Sequence, residues 1–132
     1  MQLRIKTPRK KSIVDITDTI DALLSKQGVE EGVCVIAIKH TTAAITTADL
    51  DPGTDLDMLD AFEEIMPKLH YRHPHNPPHV VDHILTSIIG TSITLPIIEG
   101  HLDVGVWQRV IIVELDGPRE REVVVKLLKT ID

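Results

Sequence analysis

Two unbroken aliphatic runs, Val33-Cys34-Val35-Ile36-Ala37-Ile38 and Val110-Ile111-Ile112-Val113, constrain the fold most tightly. Each is too short for a buried helix and rich in β-branched side chains. Strands that carry apolar residues on both faces sit inside a sheet rather than at its edge. The rest of the chain must then supply neighbouring strands and something to cover them. Only one Trp, one Tyr and one Phe are present, although 42% of residues are hydrophobic. Ile, Val, Leu and Ala must therefore do the packing, which again favours strands. At 132 residues the chain is expected to form a single domain, 1–132, large enough to bury a core without disulfides.

Around these runs the pattern alternates in the way strands and helices require. Leu3 and Ile5 alternate with Gln2, Arg4 and Lys6, a half-buried strand that Pro8 ends. A second short strand covers 12–16. Thr17 reads as a helix N-cap, followed by Ile20, Leu23 and Leu24 at helical spacing and Gly28 as the stop. After the strand at 33–40 comes another at 43–48. A second helix starting at Asp51 or Thr54 carries Leu56, Leu59, Phe62, Ile65 and Met66 on one face and stops at Pro67. A third helix, over 79–89, has Val80, Ile84, Leu85 and Ile88 at helical spacing and ends at Gly90. Strands at 92–97, 102–104, 106–115 and 122–128 complete the chain, the last two separated by the Asp116-Gly117-Pro118 turn. Seven or eight strands with three helices predict an α+β fold, dominated by a two-layer β-sandwich or jelly-roll-like core.

The net charge of −6 argues against nucleic acid as a partner, because phosphate backbones demand a basic surface. The basic run Lys6, Arg9, Lys10, Lys11 reads as a solvated strand end and turn. No apolar stretch approaches the about 20 residues of a membrane span. A lone Cys34 inside a strand reads as an inert buried thiol and fits a reducing, cytoplasmic compartment.

Five of the seven histidines fall within fourteen residues, at 70, 73, 75, 79 and 83. Imidazole binds metals and moves protons near neutral pH. His79 and His83 are four apart and share one helix face, half of a familiar zinc site. His40, at the end of a buried strand, is the expected third ligand, giving a metal set of His40, His79 and His83. A proton relay, or surface histidines in a proline-rich loop, are the other readings. His70, His73 and His75 lie in that loop without a regular element to aim them, and His101 follows Gly100 in a turn.

Other polar residues stand out by type. Trp107 is either a buried indole or a stacking surface for a ring, with Gln108 beside it to hydrogen-bond the same ligand. Ser87 and Thr91 flank Gly90, as helix caps or as anion contacts. Arg119 and Arg121 each offer a guanidinium fork for phosphate, although surface solvation is the default for both. Asp49 is the acidic residue best placed to face magnesium.

Four ordered blocks, His40-Thr41-Thr42-Ala43-Ala44-Ile45-Thr46, Ser87-Ile88-Ile89-Gly90-Thr91-Ser92, Gly105-Val106-Trp107-Gln108 and Glu114-Leu115-Asp116-Gly117-Pro118-Arg119-Glu120-Arg121, resemble the YjbQ-like family, also described as secondary thiamine-phosphate synthases. The resemblance runs from Ile5 to Val125. It implies a compact β-sandwich assembled as a homotrimer and a phosphorylated small-molecule substrate. The implied reaction joins a pyrimidine-methyl diphosphate to a thiazole phosphate and releases pyrophosphate. His40, His83, Ser87, Trp107, Gln108 and Arg119 carry over as site residues. On this reading magnesium and Arg119 neutralise the leaving group, with Asp49 near the metal. Trp107 and Gln108 hold the pyrimidine, and His40 and His83 hold the metal or shuttle a proton. Val106 and Ala48 stand where the family usually has Thr and Asn. Two other readings are a zinc-dependent hydrolase using the histidines and a non-enzymatic trimeric binding module. All of them expect His40 and His83 to converge on one polar hollow.

Overall fold

The structure, a computed structural model, describes residues 1–73 and 79–132. The sequence expectations about His75 and the three loop prolines lie outside the described residues. Among the described residues, eight strands and three helices follow in the order β1 (Gln2–Lys6), β2 (Ser12–Asp15), α1 (Thr17–Gln27), β3 (Gly32–Ile38), β4 (Ala43–Ala48), α2 (Thr54–Ile65), α3 (Val80–Ile89), β5 (Ser92–Ile98), β6 (His101–Leu102), β7 (Arg109–Glu114) and β8 (Glu120–Lys129). The fold is α+β with strands dominant. A five-stranded antiparallel sheet runs β1-β8-β3-β5-β6, and a three-stranded one runs β2-β7-β4.

Both aliphatic runs take the interior positions expected of them, β3 third of five strands and β7 in the middle of three. Their two faces are used differently. Along β7, Val110 and Ile112 join the core shared with Ile36, Ile38, Val123 and Val125 of the large sheet, while Ile111 and Val113 join a second core under α2 and α3. The molecule is thus layered as large sheet, small sheet and helices, with α1 contributing Ile20 and Leu24 to the inter-sheet core. On β3 Gly32, Cys34, Ile36 and Ile38 are buried; Val33, Val35 and Ala37 face outward and are partly exposed. The sequence expectation of a strand covered on both faces therefore holds for β7 and not for β3.

Several local expectations change for identifiable reasons. Thr17 does not cap α1; the Asp15 carboxylate takes its amide and hydroxyl, at 3.0 and 2.7 Å, while Thr17 Oγ1 accepts the Val110 amide at 2.7 Å. Gly28 does close α1, at φ 68°. No residue of α2 is fully buried, and Leu56 and Ile65 of its expected apolar face are exposed. Strand β7 begins at Arg109 rather than at 106, because Gly105–Gln108 forms a separate turn.

Where the two sheets meet at one end, inward alternation brings Glu114 of β7 against Arg121 of β8, both almost wholly excluded from solvent. Arg121 Nε donates to Glu114 Oε1 at 2.7 Å, and its Nη2 pairs with Oε2. Nη2 also donates to the carbonyl and hydroxyl of Thr42, at 3.1 and 2.9 Å. Glu114 further accepts from Thr7 Oγ1 at 2.7 Å and from the Asp116 amide at 3.0 Å. Burial alone pushes the Glu114 carboxyl up, but the bonds from Arg121, Thr7 and Asp116 outweigh it and hold it below its ordinary range. One ion pair thus fixes three segments: the start of β4, the end of β1 and the β7–β8 turn.

Candidate functional site

The segments fixed by Glu114 and Arg121 carry a group of imidazoles. Helix α3 packs on β4 and brings His83 to the residue just before Thr42. The Thr41 carbonyl can only accept, so His83 Nδ1–H donates to it at 2.9 Å. His79, one turn earlier, meets the β7–β8 turn, where its Nε2–H donates to Asp116 Oδ2 at 3.0 Å. These bonds assign the tautomers: neutral His83 keeps a bare Nε2 and neutral His79 a bare Nδ1. His73 joins them. Ring centres lie 5.0 Å apart for His79–His83, 5.3 Å for His73–His83 and 6.5 Å for His73–His79.

Asp116 is the hinge of this cluster. Arg119 donates to it twice, Nη2 to Oδ2 at 2.8 Å and Nε to the carbonyl at 2.8 Å. Burial raises the Asp116 carboxyl, but Arg119 and His79 together hold it below the usual carboxylate range. Asp82 lies 3.8 Å from His79 Nε2 and is nearly buried; burial raises its carboxyl, against the pull of Lys11, His79 and Lys10.

His40 takes a different place. The Glu122 amide donates to its Nε2 at 2.9 Å, so that nitrogen's lone pair is committed to the backbone of β8. Burial and the Arg121 charge push its pKa below the ordinary value, which keeps it neutral. The expected hollow is therefore only half formed. Backbone beside His40 reaches His83, but the His40 ring is spent on the large sheet. Among the described residues no group of three or more His, Cys, Asp or Glu could hold a metal ion as it stands, and the His40 ring, taken by the Glu122 amide, does not offer its Nε2 to a site shared with His79 and His83.

The other predicted site residues divide by position. Ser87 is exposed one turn beyond His83 on α3, and Thr91 is exposed after Gly90, its carbonyl accepting the Ile38 amide at 2.8 Å. Arg119 is at the imidazole end but engaged by Asp116. Trp107, Gln108 and Asp49 are elsewhere. The register pairs Ala43 with Glu114 and Ala48 with Arg109, so the start of β4 is at the imidazole end and its finish at the Trp107 end. The five residue steps from Ala43 to Ala48, at about 3.4 Å each, separate the two groups by about 17 Å. At the far end, Trp107 is 72% exposed and Val106 86%. Gln108 holds their turn, accepting the Gly105 amide at 3.0 Å and donating to Thr47 Oγ1 at 2.9 Å. A cleft of about 400 Å³ lies there between Asp49, Thr47 and the Trp107 turn. Asp49 Oδ1 accepts the Asp51 amide at 2.8 Å. His101 is exposed on β6 and His70 is exposed after α2.

Sequence reasoning passed over Asp116 and Glu114 as members of a turn and its flank, offered Arg121 to a phosphate rather than to Glu114, and set His73 aside. An acidic residue at the end of an otherwise apolar strand, seven residues before an arginine at an inward strand position, was the available signal.

Fold and site together define a layered α+β protein with an imidazole cluster built where its two sheets are pinned. The chain belongs to the YjbQ-like UPF0047 family, whose model matches residues 1–130. It is 35% identical over 127 residues to the UPF0047 protein YugU of Bacillus subtilis, covering 96% of each chain. It is 36% identical over 126 residues to the UPF0047 protein MJ1081 of Methanocaldococcus jannaschii, covering 95% of this chain and 91% of that one. Among solved structures, a YbjQ-like protein of unknown function from Sulfolobus solfataricus superposes with a TM-score of 0.90 at 32% identity, covering 98% and 96%. An uncharacterised YjbQ/UPF0047 protein from Clostridium acetobutylicum gives 0.87 at 32% identity, covering 97% and 99%.

The expectation of a thiamine-phosphate synthase is corrected by these findings. The relatives carry the family designation alone, and the solved neighbour is described as of unknown function. Within one chain Trp107, Gln108 and Asp49 stand at the opposite end of β4 and β7 from His83 and Arg119. No described helix is long and apolar enough to cross a membrane.

Proposed function

We propose that this chain binds a divalent transition-metal ion, zinc by preference over magnesium, through His79 and His83. The observation that carries this is the spacing of the two rings. Two imidazoles on one zinc, at Zn–N distances of about 2.0–2.1 Å, set their ring centres about 5 Å apart. His79 and His83 have that separation, at 5.0 Å. The outer nitrogens of His79 and His83 are already tied to a carboxylate and a carbonyl, the arrangement that orients metal-binding histidines. An all-imidazole set suits zinc, whereas magnesium wants oxygen ligands. Bound there, the ion would supply Lewis acidity.

The surroundings favour an anionic small-molecule ligand, including a phosphorylated one, because Lys10, Lys11 and Arg119 border the cluster. A cytoplasmic location is supported by the single buried thiol, which no disulfide uses.

The test is calorimetric titration of untagged protein with Zn(II), beside a His79→Ala/His83→Ala variant. One ion per chain, lost in the variant, is the expected result. Absence of stoichiometric binding, or binding that survives loss of both imidazoles, overturns the proposal.

A further inference from the structure

Strand β1 is the last strand of the large sheet, with β8 on one side and an open edge on the other. The register pairs Gln2 with Val124 and Lys6 with Glu120. Carried one residue further each way, it pairs Met1 with Val125 and Thr7 with Arg119. Both pairs are bonded: the Val125 amide donates to the Met1 carbonyl at 2.8 Å, and the Thr7 amide to the Arg119 carbonyl at 2.8 Å. Bonded positions alternate along an antiparallel ladder. Odd residues of β1 therefore turn their backbone groups to β8, and Gln2, Arg4 and Lys6 turn theirs to the open edge. A row of amides and carbonyls at strand spacing is a template for one more strand.

Helix α1 gives that edge a second wall. A cleft of about 480 Å³ runs between Leu3 of β1 and Asp18, Thr19, Ala22, Leu23 and Lys26 of α1. The helix residues are spaced as one face, and the two small ones, Thr19 and Ala22, are exposed and let a chain approach. Leu3 and Leu23 pack partly buried against the core and form an apolar floor. The outward row of β1 is polar instead, with Arg4 and Lys6 both exposed. Lys26 adds a cation at one end of the helix wall, while Asp18 is engaged by Arg109 at 3.1 Å. A second copy of β1 paired antiparallel about Arg4 would set arginine against arginine, so the edge is charged against itself.

We propose that the groove between β1 and α1 binds an extended segment of another protein, one that alternates acidic and apolar residues. The segment adds a strand outside β1 and bonds to the backbone of Gln2, Arg4 and Lys6. Its side chains point alternately to the two faces. Those facing inward lie beside Leu3 and Ile5 and fill the cleft. Those facing outward are carboxylates beside Arg4 and Lys6. Main-chain bonds supply the affinity, and the alternation of cleft and cations supplies the choice of sequence. The groove shares no residue with the imidazole cluster, so the two readings stand or fall separately.

The probe is a fluorescein-labelled ten-residue peptide alternating glutamate and valine, titrated into the untagged full chain and read by anisotropy. Its control has the same ten residues with the glutamates and valines in separate blocks. Saturable binding at least tenfold tighter than the control's is expected, and amide exchange at Arg4 and Lys6 should slow at least tenfold with peptide bound. Arg4→Pro removes one edge amide and leaves the bonds to β8, because that amide faces away from it. It should weaken binding at least tenfold, and Arg4→Gln, which removes the charge alone, by less. Ala22→Trp fills the cleft from an exposed position and should abolish binding with circular dichroism unchanged. Equal binding of the two peptides, or equal weakening by Arg4→Pro and Arg4→Gln, reduces the contact to surface charge and overturns the proposal. So does absence of binding. So does protection of the edge amides that grows with protein concentration in the absence of peptide, which would give the edge to a second copy.

Discussion

Replacing Arg121 with methionine asks whether one ion pair holds the site end of the molecule together. Methionine keeps the apolar stem and removes every donor, so both bonds to Glu114 and both to Thr42 are lost. Glu114 retains Thr7 and the Asp116 amide but no cation, in a position water does not reach. Removing one partner of a buried pair costs about 3–5 kcal/mol, a large part of the about 5–15 kcal/mol that holds a domain folded. In urea, where unfolding of small proteins has a slope of about 1–3 kcal/mol/M, the midpoint should fall by at least about 1 M. The double variant Glu114→Gln/Arg121→Met removes the stranded charge as well and should recover a substantial part of the loss. The pH dependence supplies a second reading. The folded Glu114 carboxyl titrates below its ordinary 4.5, so its stabilisation is present above about 4.5 and is lost as pH falls through the lower folded value. In Arg121→Met the carboxyl loses its cation, so the gap between variant and parent should narrow on acidification. A loss under about 1 kcal/mol at pH 7, or a double variant no better than the sum of the singles, would refute the reasoning.

Burial raises the Cys34 pKa to about 11, so a thiol reagent at neutral pH should label the native protein very slowly and the urea-unfolded chain at once. His40 titrates below its ordinary 6.5 because burial and Arg121 disfavour the charged form. Folding stability should therefore fall as pH drops below about 6.5, and His40→Gln should flatten that part of the profile in urea titrations at several pH values. At Gly117 a Cβ would stand 2.3 Å from the Arg9 carbonyl and 2.9 Å from Glu114 Cγ. Gly117→Ala must push backbone apart and should cost about 1–3 kcal/mol in the same assay. Asp116→Asn weakens the acceptor that orients His79; Zn(II) affinity by calorimetry should fall about 10–100-fold.

Much of the fold was legible because strands announce themselves by run length and alternation. Both aliphatic runs took interior positions, Gly28 closed α1, and the three helices formed near their expected bounds. What failed depended on contacts between distant segments. Thr17 looked like a cap until the Val110 amide claimed its hydroxyl. Val33, Val35 and Ala37 read as buried, yet no sequence pattern says whether a sheet's outer face is covered. The site was legible as a collection of side chains and not as an arrangement. His79 and His83 share a helix face by spacing alone, whereas the place of His40 depended on which amide its ring would meet. Trp107 and Asp49 were drawn toward the histidines by chemistry, and only the register of β4 on β7 shows that they belong to the other end.

The position of the imidazoles follows from the same ion pair that stabilises the core. Arg121 grips Thr42, whose neighbour Thr41 offers the carbonyl that aims His83; Glu114 grips the Asp116 amide, whose side chain aims His79. His79 is thus linked to a fully buried charge through Asp116 alone, and His83 through Thr41 and Thr42. This explains why a polar pair persists where aliphatic residues would pack as well: a hydrocarbon contact fixes distance loosely, while a charged fork with several bonds fixes direction. It follows that fold stability and site geometry are separable. The double variant Glu114→Gln/Arg121→Met should refold cooperatively with much of its stability restored, yet it lacks the fork that sets both backbone segments. Its Zn(II) affinity should remain well below that of the parent, closer to Asp116→Asn than to wild type. A double variant that regains both would show that the pair serves stability alone, and that the imidazoles are aimed by α3 without help from the sheets.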